Sequence, residues 1–299
     1  MSLFKKLIKR VLSFIIDIYY TVAWRIRSRK SNAHFLNAED RDDKIVVSLT
    51  SFPGRIGIVS KTIKTLLLQK KVKPDLIILW LSESQFSSKE ESLPNSIRDL
   101  MQYGLTIRWC EDIRSYKKLI PALSEYSKDI LVTADDDVYY AHNWLEKLYY
   151  SYLQDKKSIH CNKATKFTYD GNTFSAIAGG KDFYSEPSYL NKLVGVGGVL
   201  YPANSLNKNV LDTDCCMKYL STNDDIWFWC MAVLNETKIR VIEKNVPNPI
   251  DVYGSFGTEK LSNVNDNGEK LFWKQFNNAC ELFPNFKDRL IQESKKCSV

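Results

Sequence analysis

Apolar positions along this chain change their period twice, and each change marks a boundary. In the first thirty residues they recur at helical spacing, with Phe4, Leu7, Ile8, Val11, Ile15, Ile18, Tyr19 and Val22 on one stripe and Lys6, Arg10, Ser13, Asp17 and Thr21 on the other. This predicts an amphipathic helix over 1–30, followed by a polar linker over 31–43. From Lys44 the pattern becomes short β-branched or continuous apolar runs alternating with helical ones. Residues 45–49 read as a strand. Residues 56–69 read as a helix with Ile56, Val59, Ile63, Leu66 and Leu67 on one face, and 76–81 as a buried strand of a parallel sheet. A polar loop over 82–92 follows, then a helix near 95–103, a strand at 105–109, a helix near 117–126 and a strand over 129–134. Strand and helix in strict alternation predict a doubly wound α/β sheet.

The second half is less regular. An Asp170-Gly171 turn between 166–169 and 173–177 predicts a hairpin. A glycine-rich strand is expected over 194–202, a helix opening at Asn223-Asp224-Asp225 and continuing through Met231, a strand at 238–242, and a last helix near 270–283. With no internal repeat and no second independent domain, the reading is one domain over 44–250 and a tail over 251–299 whose helix closes the site.

The most informative stretch is Asp135-Asp136-Asp137, at the end of the fourth predicted strand. Three adjacent carboxylates repel one another, so a chain that holds them at a strand end favours a cation there. Side chains alternate along an extended segment, so Asp135 and Asp137 are expected to face one side and Asp136 the other. An α/β sheet also places its ligands at such strand ends. The alternative is a solvated acidic turn.

Charge then narrows the class of partner. The formal net charge is +7, but Lys5, Lys6, Lys9, Arg10, Arg25, Arg27, Arg29 and Lys30 against Asp17 alone account for all of it. The remainder is neutral and has no basic stripe, so nucleic acid is not an expected partner. Lys9, Arg10 and Asp17 interrupt the first apolar run before the roughly 20 residues a membrane span requires. No small-residue cleavage site follows it, which argues against a cleaved signal. Its basic ends and its aromatics Tyr19, Tyr20 and Trp24 instead suit the interface of an anionic membrane, with docking of the apolar face on the domain or on another subunit as the alternative. Seven scattered cysteines without a C-x-x-C pair fit a reduced, cytosolic set, and three histidines at no ligand spacing argue against an imidazole-rich metal centre. The expected location is cytoplasmic, peripheral on the inner face of the membrane.

Three further segments carry chemistry. Ser48 to Arg55 combines hydroxyls, a turn and a cation just before a helix amino terminus, where exposed amides favour an anion such as a nucleotide phosphate; the alternative is an ordinary turn with a surface arginine. Lys117 and Lys118 offer charge neutralisation for a diphosphate. Gly195, Gly197 and Gly198 imply close approach of the backbone to a ligand or to another element. At Asn223-Asp224-Asp225, one residue can cap the helix while a carboxylate projects into a cleft as a general base.

Taken together, Thr50 to Arg55, Ala134 to Tyr139, the glycine-rich strand ending Leu200-Tyr201-Pro202, and Asn223 to Trp227 resemble the motif series of GT-A-fold glycosyltransferases, family-2-like and exostosin-like, over roughly 44–242. The resemblance implies a hexosyltransferase-type enzyme that moves a sugar from a nucleotide-sugar donor, UDP-sugar favoured, to a hydroxyl of a surface glycan or lipid-linked acceptor. It makes Asp135-Asp136-Asp137 the D-x-D element, with Asp135 and Asp137 on Mn2+ or Mg2+ and Asp135 and Asp136 near the ribose and sugar. Thr50, Arg55 and Lys117 would lie beside the donor, Gly197 and Gly198 beside the sugar or acceptor, and Asp224 or Asp225 would be the base of an inverting enzyme. Many such enzymes supply a later histidine to the metal; this chain has none beyond position 160, so Asp266, Asn263 or water would complete the shell. Two rival readings remain. A nucleotidyltransferase would need a longer glycine-rich loop than Ser51 to Arg55, and a membrane-associated scaffold would use the acids for structural Ca2+ without nucleotide affinity.

Overall fold

The computed structural model describes residues 3–30, 34–177, 183–242, 249–257 and 270–297. After the helix α1 (Leu3–Ser28) the chain runs β1 (Ile45–Thr50), α2 (Val59–Leu67), β2 (Leu76–Ser82), α3 (Asn95–Met101), β3 (Leu105–Cys110), α4 (Ile120–Glu125), β4 (Ile130–Thr133), β5 (Val138–Tyr139) and α5 (Trp144–Gln154). It continues through β6 (Ile159–Cys161), β7 (Ala164–Tyr169), β8 (Phe174–Ile177), β9 (Asn191–Leu193), β10 (Val199–Tyr201), α6 (Thr213–Tyr219), α7 (Asp224–Leu234), β11 (Ile239–Val241) and β12 (Ile250–Asp251). Two helices, Lys270–Leu282 and Pro284–Cys297, follow.

Seven strands form one mixed sheet in the order β11-β6-β10-β4-β1-β2-β3. Strands β3, β2, β1 and β4 are parallel, and β10 alone runs against its neighbours β4 and β6. The strands are apolar on both sides because both faces are covered. On β2, Ile78 and Trp80 join one core with α7 and the two last helices, while Ile77, Leu79 and Leu81 join the other with α2, α3 and α5. The chain steps outward from β1 to β2 and β3, then returns to place β4 on the other side of β1. That reversal is a topological switch point, and it opens a crevice outside the carboxyl ends of β1 and β4.

The α/β alternation expected over the first half is present, and so is the hairpin, with Tyr169 opposite Phe174 and Gly171 at φ +103° in its turn. Three expectations change. The helix expected near 117–126 is a 3-10 turn, Arg114–Lys118, followed by α4. The glycine-rich strand is broken: Gly195–Gly197 is a 3-10 turn, and only Val199–Tyr201 joins the sheet, because Gly198 at φ +88° leaves the extended region between them. The last helix expected near 270–283 is followed by a second, Pro284–Cys297, and Phe276 and Phe286 of the pair pack on Trp229 of α7. Asp266 and Asn263 lie outside the described residues.

Candidate functional site

The site is built at the switch point. The residues after β1 are folded by successive turns, with the Arg55 and Ile56 amides donating to the Phe52 carbonyl at 2.9 and 3.0 Å and the Ile58 amide to the Arg55 carbonyl. These turns delay the start of α2 to Val59 and swing Arg55 over the carboxyl end of β4. Its guanidinium lies 5.5 Å from the Phe52 ring centre. A Cβ on Gly54 would meet that ring at 2.6 Å, so a larger residue there would displace Phe52.

Beyond β4 the acids do not continue as an extended strand, so simple alternation fails. Thr62 of α2 donates to the carbonyls of Asp136 and Val138 at 3.0 and 2.9 Å and bends the segment. The Asp135 amide donates to the Tyr140 hydroxyl at 2.8 Å. As a result Asp136 and Asp137 both face Arg55, at 2.6 and 3.4 Å, and Asp135 turns to Lys118 at 2.9 Å. Ser51 completes the first group by donating to Asp136 at 2.6 Å. Burial pushes the Asp136 carboxyl up to about 6, against the pull of Arg55 and with added repulsion from Asp137. Burial works against the Arg55 charge, but Asp136 and Asp137 outweigh it and hold the arginine above its ordinary value.

A second group meets the first at the carboxyl end of β4. Asn223 caps α7 by accepting from the Ile226 amide, which leaves both Asp224 and Asp225 free of that duty. Asp224 accepts from Ser115 at 2.9 Å and pairs with Lys118 at 2.9 Å, so one buried lysine bridges a carboxylate from the β4 end to one from the α7 start. Burial disfavours the Lys118 charge, yet Asp135, Asp224 and Asp225 together hold its pKa well above 10.5. Asp225 accepts from the Gly195 amide through both oxygens, at 3.1 and 3.2 Å, with Lys192 3.9 Å away. Its carboxyl is raised by burial, opposed by Lys192 and reinforced by Asp224.

Several expected residues are placed otherwise. The lysine at the acids is Lys118; Lys117 is buried against Asp112 instead. Thr50 ends β1 and donates to the Trp80 carbonyl at 2.9 Å. Gly197 and Gly198, expected beside a sugar or acceptor, approach protein on the side where a Cβ would point. A Cβ on Gly198 would strike the Trp144 ring at 2.4 Å, and one on Gly197 would meet Lys163 and Asn162. The glycine that abuts the carboxylates is Gly195, whose Cβ would lie 2.8 Å from Asp225 Oδ1 and 3.1 Å from Lys118 Nζ. Sequence reasoning missed Ser115 and Lys192 as members and took Ser51 only as one hydroxyl of the Ser48 to Arg55 segment. Nothing in the sequence links Lys192 to Asp225.

Asp135 and Asp137 offer oxygen, the donor type that hard cations such as Mg2+ take together with substrate phosphates. Asp137 faces Arg55 and Asp135 turns to Lys118, however, so the two carboxylates do not converge on one ligand. Among the described residues no three His, Cys, Asp or Glu side chains converge as a complete protein-only shell. Chemically, the arrangement gathers a guanidinium paired with two carboxylates, Arg55 with Asp136 and Asp137, and a carboxyl raised by burial, Asp225, near one end of the sheet.

No family model matches this chain, and no curated protein matches it. Among solved structures, it is similar to the mannosyltransferase PcManGT from Pyrobaculum calidifontis, solved in complex with GDP-Man and Mn2+. The match has 12% identity and a TM-score of 0.33, and it covers 52% of this chain and 45% of that one. The chain thus matches less than half the length of that structure, and a likeness at that level carries no argument about activity. The fold and site define a mixed α/β protein with a carboxylate and cation cluster at its switch point.

Proposed function

We propose that this protein is a glycosyltransferase that moves a sugar from a nucleotide-sugar donor to an acceptor hydroxyl, with a GT-A-like domain as its catalytic unit. The observation that carries the reading is the meeting of Arg55, Asp135, Asp136, Asp137, Lys118, Asp224 and Asp225 outside the carboxyl ends of β1 and β4, where α/β sheets bind nucleotides. In this reading Arg55 faces the donor diphosphate and Asp136 fixes the guanidinium. Asp137, together with the donor phosphates, would hold Mn2+ or Mg2+, which when bound offsets the charge of a departing nucleoside diphosphate. Asp225 takes the proton of the acceptor hydroxyl. Its raised pKa brings it nearer neutrality than an ordinary aspartate, which suits a general base. Asp224 holds Lys118 in place rather than reacting. A UDP-sugar is the favoured donor, and a surface glycan or lipid-linked acceptor at the inner face of a membrane is the favoured acceptor.

Calorimetric titration of UDP and GDP, with and without Mn2+, into the wild type and Asp137→Ala tests the proposal. One nucleotide is expected to bind in a metal-dependent manner that the substitution abolishes. If neither binds under any metal condition while Ca2+ alone raises the melting temperature, the enzyme reading gives way to a structural Ca2+ scaffold.

A further inference from the structure

Helix α1 lies on the domain through a mixed face and turns an apolar face outward. On the inner side Ile16, Ala23 and Trp24 pack against the core, and polar and aromatic residues make the hydrogen bonds. Ser13 donates to the Asp251 carbonyl at 2.7 Å, Asp17 pairs with Lys61 at 3.0 Å and accepts from the Tyr139 hydroxyl at 2.6 Å, and Tyr20 donates to the Tyr140 carbonyl at 2.8 Å. The outward stripe is apolar: Phe4, Leu7, Val11, Ile15, Ile18 and Val22, spaced at three and four residues, are each at least 48% exposed. A surface helix normally turns its apolar stripe to the core and its polar face to water. A continuous exposed apolar face of this length marks an interaction surface.

We propose that this face docks on an anionic lipid bilayer, with the helix lying along the surface. Charge decides the occupant. Lys5, Lys6, Lys9 and Arg10 are exposed at one end of the stripe and Arg25, Arg29 and Lys30 at the other, and this segment carries the whole +7 of the chain. An apolar face bounded at both ends by cations matches acyl chains beneath anionic headgroups. A second copy does not fit, because both ends are basic and either orientation sets cations against cations. A transverse span does not fit either. No helix among the described residues is long and apolar enough to cross a membrane, and the contacts from Ser13 to Tyr20 hold α1 flat against the domain. The proposal holds whether or not the site transfers sugar. It does tie the two together, since β5, which holds Asp17 through Tyr139, begins at the residue after Asp137.

Co-sedimentation of the full chain with vesicles of phosphatidylcholine, with and without phosphatidylserine, is the test. The wild type is expected to bind the anionic vesicles roughly ten-fold more tightly or better, and to weaken as salt is added. Val11→Asp combined with Ile15→Asp should abolish binding, while exposed positions leave the fold intact, as circular dichroism would verify. Replacing Lys5, Lys6, Lys9 and Arg10 by Gln should weaken the preference for phosphatidylserine, leaving the part carried by Arg25, Arg29 and Lys30, and an unchanged preference would overturn the proposal. The proposal is overturned if the wild type ignores anionic vesicles, or if Val11→Asp with Ile15→Asp binds them as well as the wild type does. It is equally overturned if the wild type is a stable dimer that those aspartates dissociate, which would give the face to a second copy.

Discussion

Two carboxylate groups meet at the carboxyl end of β4, and they are neutralised by different chemistry. Asp136 and Asp137 are held by Arg55, which arrives from the loop directly after β1 together with Ser51. Asp135 and Asp224 are held by Lys118, and the three come from three separate segments of the chain. Arginine keeps its charge in any surroundings and offers a planar fork, whereas a buried lysine is a point charge that depends on its partners to stay charged. The charge of the arginine group is therefore the less sensitive of the two to a change of partner. The lysine group reads as a clamp between two elements, fixing the end of β4 to the start of α7.

The largest effect should come from breaking the clamp. Removing Lys118 strands Asp135 and Asp224 without a counter-charge, Asp224 being buried, and Lys118→Met should lower the unfolding free energy by about 3–5 kcal/mol in urea titration. Adding Asp224→Asn to Lys118→Met should recover part of the loss. A loss below about 1 kcal/mol would place the lysine in a solvated pair instead. Next in size is Arg55→Ala, expected to reduce stability by about 2–3 kcal/mol, because Ser51 still donates to Asp136 and limits the damage. If the arginine group serves the donor, Arg55→Ala should weaken UDP or GDP binding by calorimetry far more than its modest stability loss explains.

How much of this was legible in the sequence follows the same division. The first-half strands, the hairpin at Asp170-Gly171 and the cap at Asn223 are written in local periodicity and turn chemistry, and the structure has all of them. The arginine group was also legible, since Ser51 and Arg55 lie in one short segment after a recognisable strand. The lysine group was not. Which of Lys117 and Lys118 faces the acids depends on the phase of a 3-10 turn, where a one-residue step rotates a side chain by about a third of a turn. Gly197 and Gly198 share the composition of a ligand loop with Gly195, but only the packing reveals that Gly198 makes room for the Trp144 ring and Gly197 for Lys163 and Asn162. The bend at Asp136 depends on Thr62, more than seventy residues earlier, and no periodicity carries that information.

The third prediction separates the groups by pH. The Asp136 carboxyl titrates at about 6 in the fold and near 3.8 when unfolded, so between those values the unfolded chain has released a proton that the folded one retains. Rising pH then favours unfolding, and the wild type should lose stability on the order of 2 kcal/mol between about pH 4 and pH 6, with the contribution of this group levelling off about one unit higher. The Asp136→Asn profile should lack that slope, so that the difference between wild type and variant displays it, while Asp135→Asn should retain it. The smallest effect is expected at the seam between the groups. In Gly195→Ala the new methyl would sit 2.8 Å from Asp225 Oδ1 and 3.1 Å from Lys118 Nζ, both ends of side chains that can yield. The stability cost should therefore stay at about 1 kcal/mol. Asp225 moves with it, and the amide that fixes both its oxygens goes out of line. If Asp225 accepts the acceptor's proton, Gly195→Ala should bind donor nucleotide as the wild type does in calorimetry and still turn over more slowly. Equal loss of binding and turnover would instead assign Gly195 to the donor side of the crevice.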